Sequence, residues 1–214
     1  MVRDGFFYGI SLLVVAAIVW HFTGSYALVG IPVVLAVFFL WFFRDPPRKI
    51  PEGVGQIVSP ADGKVDLAEW VETPEGGRLR VTIFLNVFNV HVNRVPVGGT
   101  VEVMEFRKGQ FLNAMRPDSA VHNEQTLITI NTGDYSVSFK QIAGLLARRI
   151  VCNLKVGDRV ERGQRMGLIK FGSRTDVLMP AEARLLVKKG QNVVGGKTVL
   201  AVMPETAPDQ GGQI

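Results

Sequence analysis

A glycine–serine pair between two strand-like runs is the first feature of the sequence that could do chemistry. Segment 169–177 places Gly172 and Ser173 between an apolar run and a second short run of the strand type. Alone, this dipeptide indicates a turn. The carbonyl nearest to the Ser173 hydroxyl along the chain belongs to Gly172, so the peptide bond between them is the electrophile that the sequence offers.

Two other segments supply the groups that could activate this hydroxyl. Segment 59–65 holds Asp62 in a tight Pro-Ala-Asp-Gly turn, and segment 88–96 holds His91 within an apolar strand pattern. A serine becomes nucleophilic when a histidine accepts its proton and an acidic group orients that histidine. The three segments together therefore predict an activated Ser173, with His91 as the base and Asp62 as the residue that orients it.

Five segments in a fixed order resemble the short-form phosphatidylserine decarboxylase proenzymes, a pyruvoyl-dependent family. They lie at 42–46, 59–65, 88–96, 141–144 with 148–150, and 171–174. The resemblance spans roughly residues 42–203. Long-form members carry Leu-Gly-Ser-Thr at the cleavage site and a second His three residues after the first. Here those positions read Phe-Gly-Ser-Arg and Arg94, which fits the short form.

The resemblance implies a self-processing carboxy-lyase. The chain would be cut between Gly172 and Ser173 into a β chain, 1–172, and an α chain, 173–214, and Ser173 would become a covalent pyruvoyl group. That group would form a Schiff base with the amine of phosphatidylserine and release carbon dioxide and phosphatidylethanolamine. His91 would serve as base and then as acid. No metal and no pyridoxal phosphate are expected.

Basic side chains are candidates for contacting the lipid head group. Arg44, Arg94 and Arg174 could meet its phosphate or carboxylate. The expected partners are an anionic serine phospholipid and its membrane, and the two chains produced by cleavage. The resemblance is also compatible with a homodimer.

Composition narrows the function classes. The 214 residues are 47% hydrophobic, carry a net charge of +5 and include a single cysteine, so an intrachain disulfide and a cysteine-based metal site are excluded. The sequence has a net positive charge but no nucleic-acid-binding motif. With an apolar N-terminus present, anionic lipid is the better partner for that charge.

Residues 1–43 predict a membrane-associated helical hairpin. Runs 5–23 and 26–43 lack Asp, Glu, Lys and Arg, and each approaches the ~20 residues that span a bilayer. Arg3 precedes the first run, and Arg44 follows the second, which places both ends in the cytoplasm and the protein at the inner membrane. A signal peptide followed by a core helix, and a hairpin that inserts only partly, are the alternatives.

The remainder of the chain predicts a mostly β domain. A proline-rich joint at 44–53 precedes a β-rich region at 54–203, and 204–214 reads as a flexible tail. Short alternating strands and glycine turns indicate an antiparallel sandwich, similar to the barrel-sandwich of biotinyl and lipoyl domains. Residues 107–124 predict a long loop near the substrate entrance.

Two other functions fit part of the pattern. The same chemistry could act on an archaeal ether-linked serine phospholipid, because the reaction takes place at the serine end. A membrane-anchored β-sandwich adaptor without enzymatic activity would show no chain cleavage and would need long helical hairpins; the sequence has no coiled-coil heptads.

Overall fold

The computed structural model of the chain describes residues 2–74, 76–116, 118–145, 149–170 and 173–204. An N-terminal pair of apolar helices leads into a domain made almost entirely of antiparallel strands. The expected fold class, mostly β with a hydrophobic helical hairpin, is confirmed.

The two helices are α1, Arg3–Thr23, and α2, Tyr26–Phe42. Helix α1 ends because Gly24 adopts a left-handed conformation (φ 61°), which lets its N–H bond to the carbonyl of Trp20. Only Gly24 and Ser25 separate the helices, and the helices pack against each other. The expected tight hairpin is therefore present.

The hairpin turns apolar side chains outward. Phe22 is 79% exposed and Tyr26 is 81% exposed, beside many aliphatic residues of both helices. A helix that is apolar on its outward face is adapted to lipid or to a partner. Among the helices in the described part of the chain, α1 alone is long and apolar enough to cross a membrane; α2 is shorter and contains Pro32.

The end of α2 is packed into the β domain. Phe42 and Phe43 are buried and form a small apolar cluster with Leu168. The N-terminus joins the same contact, because the N–H of Val2 donates to the carbonyl of Phe43. Residues 44–53 then run without helix or strand into the first strand, as their prolines predict.

Fourteen strands and one short helix, α3 (Ser119–His122), follow in the described ranges. The strands are β1 (Gln56–Val58), β2 (Gly63–Thr73), β3 (Gly76–Leu85), β4 (Val92–Arg94), β5 (Gly99–Arg107), β6 (Gln125–Asn131), β7 (Ser136–Ile142), β8 (Ile150–Cys152), β9 (Arg159–Val160), β10 (Arg165–Ile169), β11 (Ser173–Pro180), β12 (Arg184–Leu185), β13 (Asn192–Val193) and β14 (Val199–Val202).

These strands form three antiparallel sheets. The largest has the order β13-β2-β3-β11-β7-β6-β5-β9, and two three-stranded sheets have the orders β1-β14-β12 and β4-β10-β8. One hydrophobic core of aliphatic residues, with Phe139, is shared by strands of all three sheets. Because β11 lies between β3 and β7, the C-terminal part of the chain is built into the centre of the large sheet.

The described part of segment 107–124 is mostly irregular, as expected, but it is anchored. It contains α3 and a short parallel bridge between Gln110 and Asn123. The Nδ2 atom of buried Asn123 donates to the carbonyls of Leu112 and Ala143. This holds the loop against the end of β7. The expected tail, apart from Pro204, lies outside the described residues.

Candidate active site

Ser173 is the first residue of β11, directly after the connection from β10. It pairs with Leu85 of β3, and β11 continues between β3 and β7. Leu85 belongs to the buried core, and cross-strand partners share a face, so the Ser173 side chain points into the interior. Gly172, the residue whose carbonyl was predicted as the cleavage site, lies outside the described residues, as does Phe171.

The Ser173 hydroxyl is buried. Its Oγ atom has no hydrogen-bond partner among the described residues, and the same holds for Oγ1 of Thr175, two residues further along the same face. Burying a hydroxyl without a partner costs about 1–3 kcal/mol. This burial is compatible with the predicted nucleophile, and the reactive role of Ser173 stays a prediction.

His91 lies beside the strand that leads to Ser173. It precedes β4, which pairs with β10, and its carbonyl accepts a hydrogen bond from the N–H of Ile169 at 3.3 Å. The imidazole is buried and stacks on Phe42, with ring centroids 4.3 Å apart and planes at 33°. The carbonyl of Asn89 accepts a hydrogen bond from Nδ1 at 2.9 Å.

Burial controls the charge of this imidazole. The pKa of His91 is lowered from 6.5 to about 4, first by desolvation and opposed by the hydrogen bond to Asn89. The ring is therefore neutral at neutral pH and able to accept a proton. With Nδ1 donating to Asn89, Nε2 carries the lone pair.

Asp62 makes its contacts with other groups. Its carboxylate accepts two hydrogen bonds from Nη2 of Arg48, at 2.9 and 3.1 Å, and one from the N–H of Gly195 at 2.8 Å. These contacts fix the turn on the loop before β14. In this geometry His91 donates a hydrogen bond from Nδ1 to the carbonyl of Asn89, and the orienting role assigned to Asp62 stays a prediction.

The two most buried arginines of the predicted set are paired with acids. Arg94 donates to Asp45 at 2.8 Å and to the carbonyl of Gly163 at 3.0 Å. Arg174 forms a two-pronged ion pair with Asp176, at 2.7 and 2.9 Å, on the face of β11 opposite to Ser173. These contacts brace the joint after α2 and the large sheet, so a lipid-binding role for either side chain stays a prediction.

Arg44 lies at the junction of the hairpin and the domain. Its guanidinium stands 4.2 Å above the ring of Trp41, and Nη2 donates to the carbonyl of Phe88 at 2.6 Å. Phe88 is largely exposed and makes an edge contact with Trp41. This corner joins a cation to two exposed aromatics, a combination suited to a lipid interface.

Two buried side chains that sequence reasoning left without a role lie near Ser173. Gln141 of β7 is directly opposite Thr175, and its Nε2 donates to Oδ1 of Asn93 at 2.8 Å. Both residues stand in the segments that carried the family resemblance, but pattern alone could not show that the fold joins them. Among the described residues, no group of three His, Cys, Asp or Glu side chains is placed to hold a metal ion.

Comparison with known proteins identifies the family of the chain. The family model described as "Phosphatidylserine decarboxylase" matches residues 35–201. A protein of Solibacter usitatus named "Phosphatidylserine decarboxylase proenzyme" is 48% identical over 202 residues, covering 94% of this chain and 96% of the relative. Proteins of the same name from Symbiobacterium thermophilum and Chlorobium chlorochromatii are 48% and 45% identical, covering 90% and 88% of this chain and 90% of each relative. The chain belongs to the phosphatidylserine decarboxylase family and is a carboxy-lyase.

Proposed function

We propose that the chain cuts itself between Gly172 and Ser173 and then decarboxylates phosphatidylserine through a pyruvoyl group derived from Ser173. The observation that carries this proposal is the buried Oγ of Ser173 at the start of β11, which has no hydrogen-bond partner among the described residues. The neutral imidazole belongs to His91, whose carbonyl accepts a hydrogen bond from Ile169 at the end of β10, the strand that leads to Ser173. The name of the relatives, a proenzyme, supports a chain that matures by cleavage.

Self-cleavage begins with proton transfer from Ser173 Oγ to Nε2 of His91. Oγ adds to the carbonyl carbon of the preceding residue, the C–N bond breaks, and the nitrogen of Ser173 takes a proton. The amide thereby becomes an ester. Loss of the Cα proton of Ser173 then expels residue 172 as a carboxylate and leaves a dehydroalanine. Water hydrolyses this dehydroalanine, its nitrogen leaves as ammonia, and the pyruvoyl group remains.

Residues of the chain then serve the decarboxylation. When formed, the pyruvoyl group supplies an electrophilic carbonyl for the lipid amine, and the resulting Schiff base would accept the electrons of the carbon–carbon bond that breaks when carbon dioxide leaves. His91 holds the proton that returns to the substrate carbon. Burial of the position of Ser173 excludes water from that carbon.

The hairpin explains how a small domain reaches a lipid. Helix α2 ends at Phe42, and this residue touches His91, so the end of the apolar helix and the candidate base are neighbours. The lipid head group can reach the site without leaving the bilayer surface. Arg3 at the start of α1 and Arg44 after α2 favour an inner-membrane protein with its catalytic domain in the cytoplasm.

The test supplies phosphatidylserine in vesicles and measures its decarboxylation by the carbon dioxide released. Wild-type protein is expected to release carbon dioxide and to form phosphatidylethanolamine, and Ser173→Ala is expected to be inactive and uncut. Cleaved wild-type protein that leaves phosphatidylserine unchanged would refute the assigned substrate. A diether serine phospholipid in parallel vesicles tests whether the lipid tails matter.

A further inference from the structure

A buried amide pair joins the strand that follows the candidate base to a strand that pairs with β11, which begins at the candidate nucleophile. Asn93 belongs to β4 and Gln141 to β7, and both side chains are fully buried. The bond from Gln141 Nε2 to Asn93 Oδ1 joins two different sheets. It fixes the orientation of both amides.

The register of the strands places this pair beside Ser173. Gln141 is the direct partner of Thr175, and Ser173 is two residues before Thr175 on the same face. Diagonal neighbours in such a ladder are about 7–8 Å apart, a distance that the long side chain of Gln141 can span. Asn93 lies in β4, two residues after His91, so the amide pair is close to the candidate base along the chain.

The hydrogen bond within the pair leaves one donor uncommitted. Because Asn93 Oδ1 accepts from Gln141, Nδ2 of Asn93 faces away from that bond, and it has no hydrogen-bond partner among the described residues. Oε1 of Gln141 and Oγ of Ser173 are in the same condition. A buried donor held ready in a dry site is worth most where negative charge develops during a reaction.

We propose that Nδ2 of Asn93 donates a hydrogen bond to the oxyanion formed in self-cleavage, and that Gln141 is the residue that positions it. The inference rests on the proposed function. When Ser173 Oγ adds to the carbonyl carbon before it, the Oγ proton moves to His91 and the carbonyl oxygen becomes the oxyanion. Its collapse breaks the C–N bond, the proton passes to the Ser173 nitrogen, and an ester results.

Two nearly isosteric variants separate the donor from the packing. In Asn93→Asp the side chain still accepts from Gln141, but it offers no N–H. In Gln141→Glu the new carboxylate attracts the Asn93 amide, so Nδ2 is consumed. Each variant is expected to slow self-cleavage by about 10²–10³-fold, the usual effect of removing one such donor. The control is Ser138→Ala, on the same strand as Gln141, which removes a hydroxyl bonded to Thr129 of β6 and should cleave at the wild-type rate.

Cleavage is followed by intact mass with and without hydroxylamine, which splits esters but spares amides. Slow cleavage that hydroxylamine does not accelerate is the expected result, because the ester then forms too slowly to accumulate. Rapid release of fragments by hydroxylamine, or cleavage within threefold of wild type, would overturn the proposal.

Thermal unfolding of each variant in a Ser173→Ala background completes the test. Melting temperatures close to that of Ser173→Ala are expected. If both variants fail to fold in that background, the pair is structural and the proposal is wrong. Wild-type protein that never cleaves would instead refute the proposed function itself, so the two failures are distinct.

Discussion

The imidazole of His91 stacks on the ring of Phe42, the last residue of α2, with their centroids 4.3 Å apart. The apolar hairpin is therefore in direct contact with the candidate catalytic base. Phe42 is also fully buried against Phe43 and Leu168. A shift of the hairpin relative to the β domain would therefore move the ring that packs on the His91 imidazole.

Replacing Phe42 by Leu should weaken this link. We expect Phe42→Leu to reduce the free energy of unfolding by about 1 kcal/mol, because the ring contact is lost while apolar volume is largely kept. Self-cleavage should slow several-fold as the imidazole gains freedom. Urea unfolding in a Ser173→Ala background and intact mass in the wild-type background measure the two effects.

The matched control for Phe42 is Phe39→Leu, one turn earlier in α2, where the ring stacks on Phe43. It should lower stability by a similar amount without slowing cleavage. Equal slowing by both substitutions would show that the hairpin acts only through general stability.

The buried imidazole should make stability depend on pH. Burial lowers the pKa of His91 from 6.5 to about 4 in the folded chain. Between pH 4 and 6.5 the unfolded chain therefore binds a proton at this histidine and the folded chain does not. The contribution of His91 to stability is complete above pH 6.5 and is lost as the pH falls toward 4. The loss is on the order of 3 kcal/mol, from about 1.36 kcal/mol per unit of pKa.

Urea unfolding of the uncut Ser173→Ala protein between pH 7.5 and 4 measures this dependence. His91→Gln should flatten the profile, and His122→Gln, which removes an exposed imidazole, should leave it unchanged. A profile that is the same with and without His91 would contradict the assigned burial.

The ion pair between Arg174 and Asp176 is buried on the face opposite to Ser173. Asp176→Asn should reduce the free energy of unfolding by about 3–5 kcal/mol, because it leaves a buried guanidinium without its counter-charge. The double change Arg174→Met with Asp176→Leu removes both charges and should restore most of that loss. Chemical unfolding in the Ser173→Ala background measures both free energies. A double variant that is less stable than Asp176→Asn would show that the two charges do more than neutralise each other.

Phe88 is exposed beside Trp41 at the end of the hairpin. If this corner enters the bilayer surface, Phe88→Asp should raise the KM for vesicle-bound phosphatidylserine about 10-fold or more, since burying a phenylalanine contributes about 1.5–3 kcal/mol. Self-cleavage should be unchanged. Phe106→Asp, at another exposed aromatic position on β5, should leave the KM as it is. An unchanged KM in Phe88→Asp would place the corner outside the membrane.

The sequence was sufficient to predict the classes of element. Strict alternation and glycine turns predicted the strands, because a half-buried strand needs a period of two. The hairpin followed from two apolar runs separated by Gly24 and Ser25. Alternation does not tell which strands pair, so the insertion of β11 between β3 and β7 could not be derived from it.

The site was predictable in part for the same reason. Ser173 and His91 were identified from motifs, and the structure shows both of them buried. The contacts of Asp62 with Arg48 and Gly195 join residues 14 and 133 positions apart, and no local pattern records such contacts. The bond between Asn93 and Gln141 likewise depends on two sheets meeting in space.

Intact mass spectrometry of the purified wild-type protein tests the central claim most directly. We predict a fragment that begins at position 173, lacks a free amino group and reacts with carbonyl reagents, together with a fragment that ends at residue 172. A single uncut chain in folded protein that nevertheless decarboxylates phosphatidylserine would contradict the account.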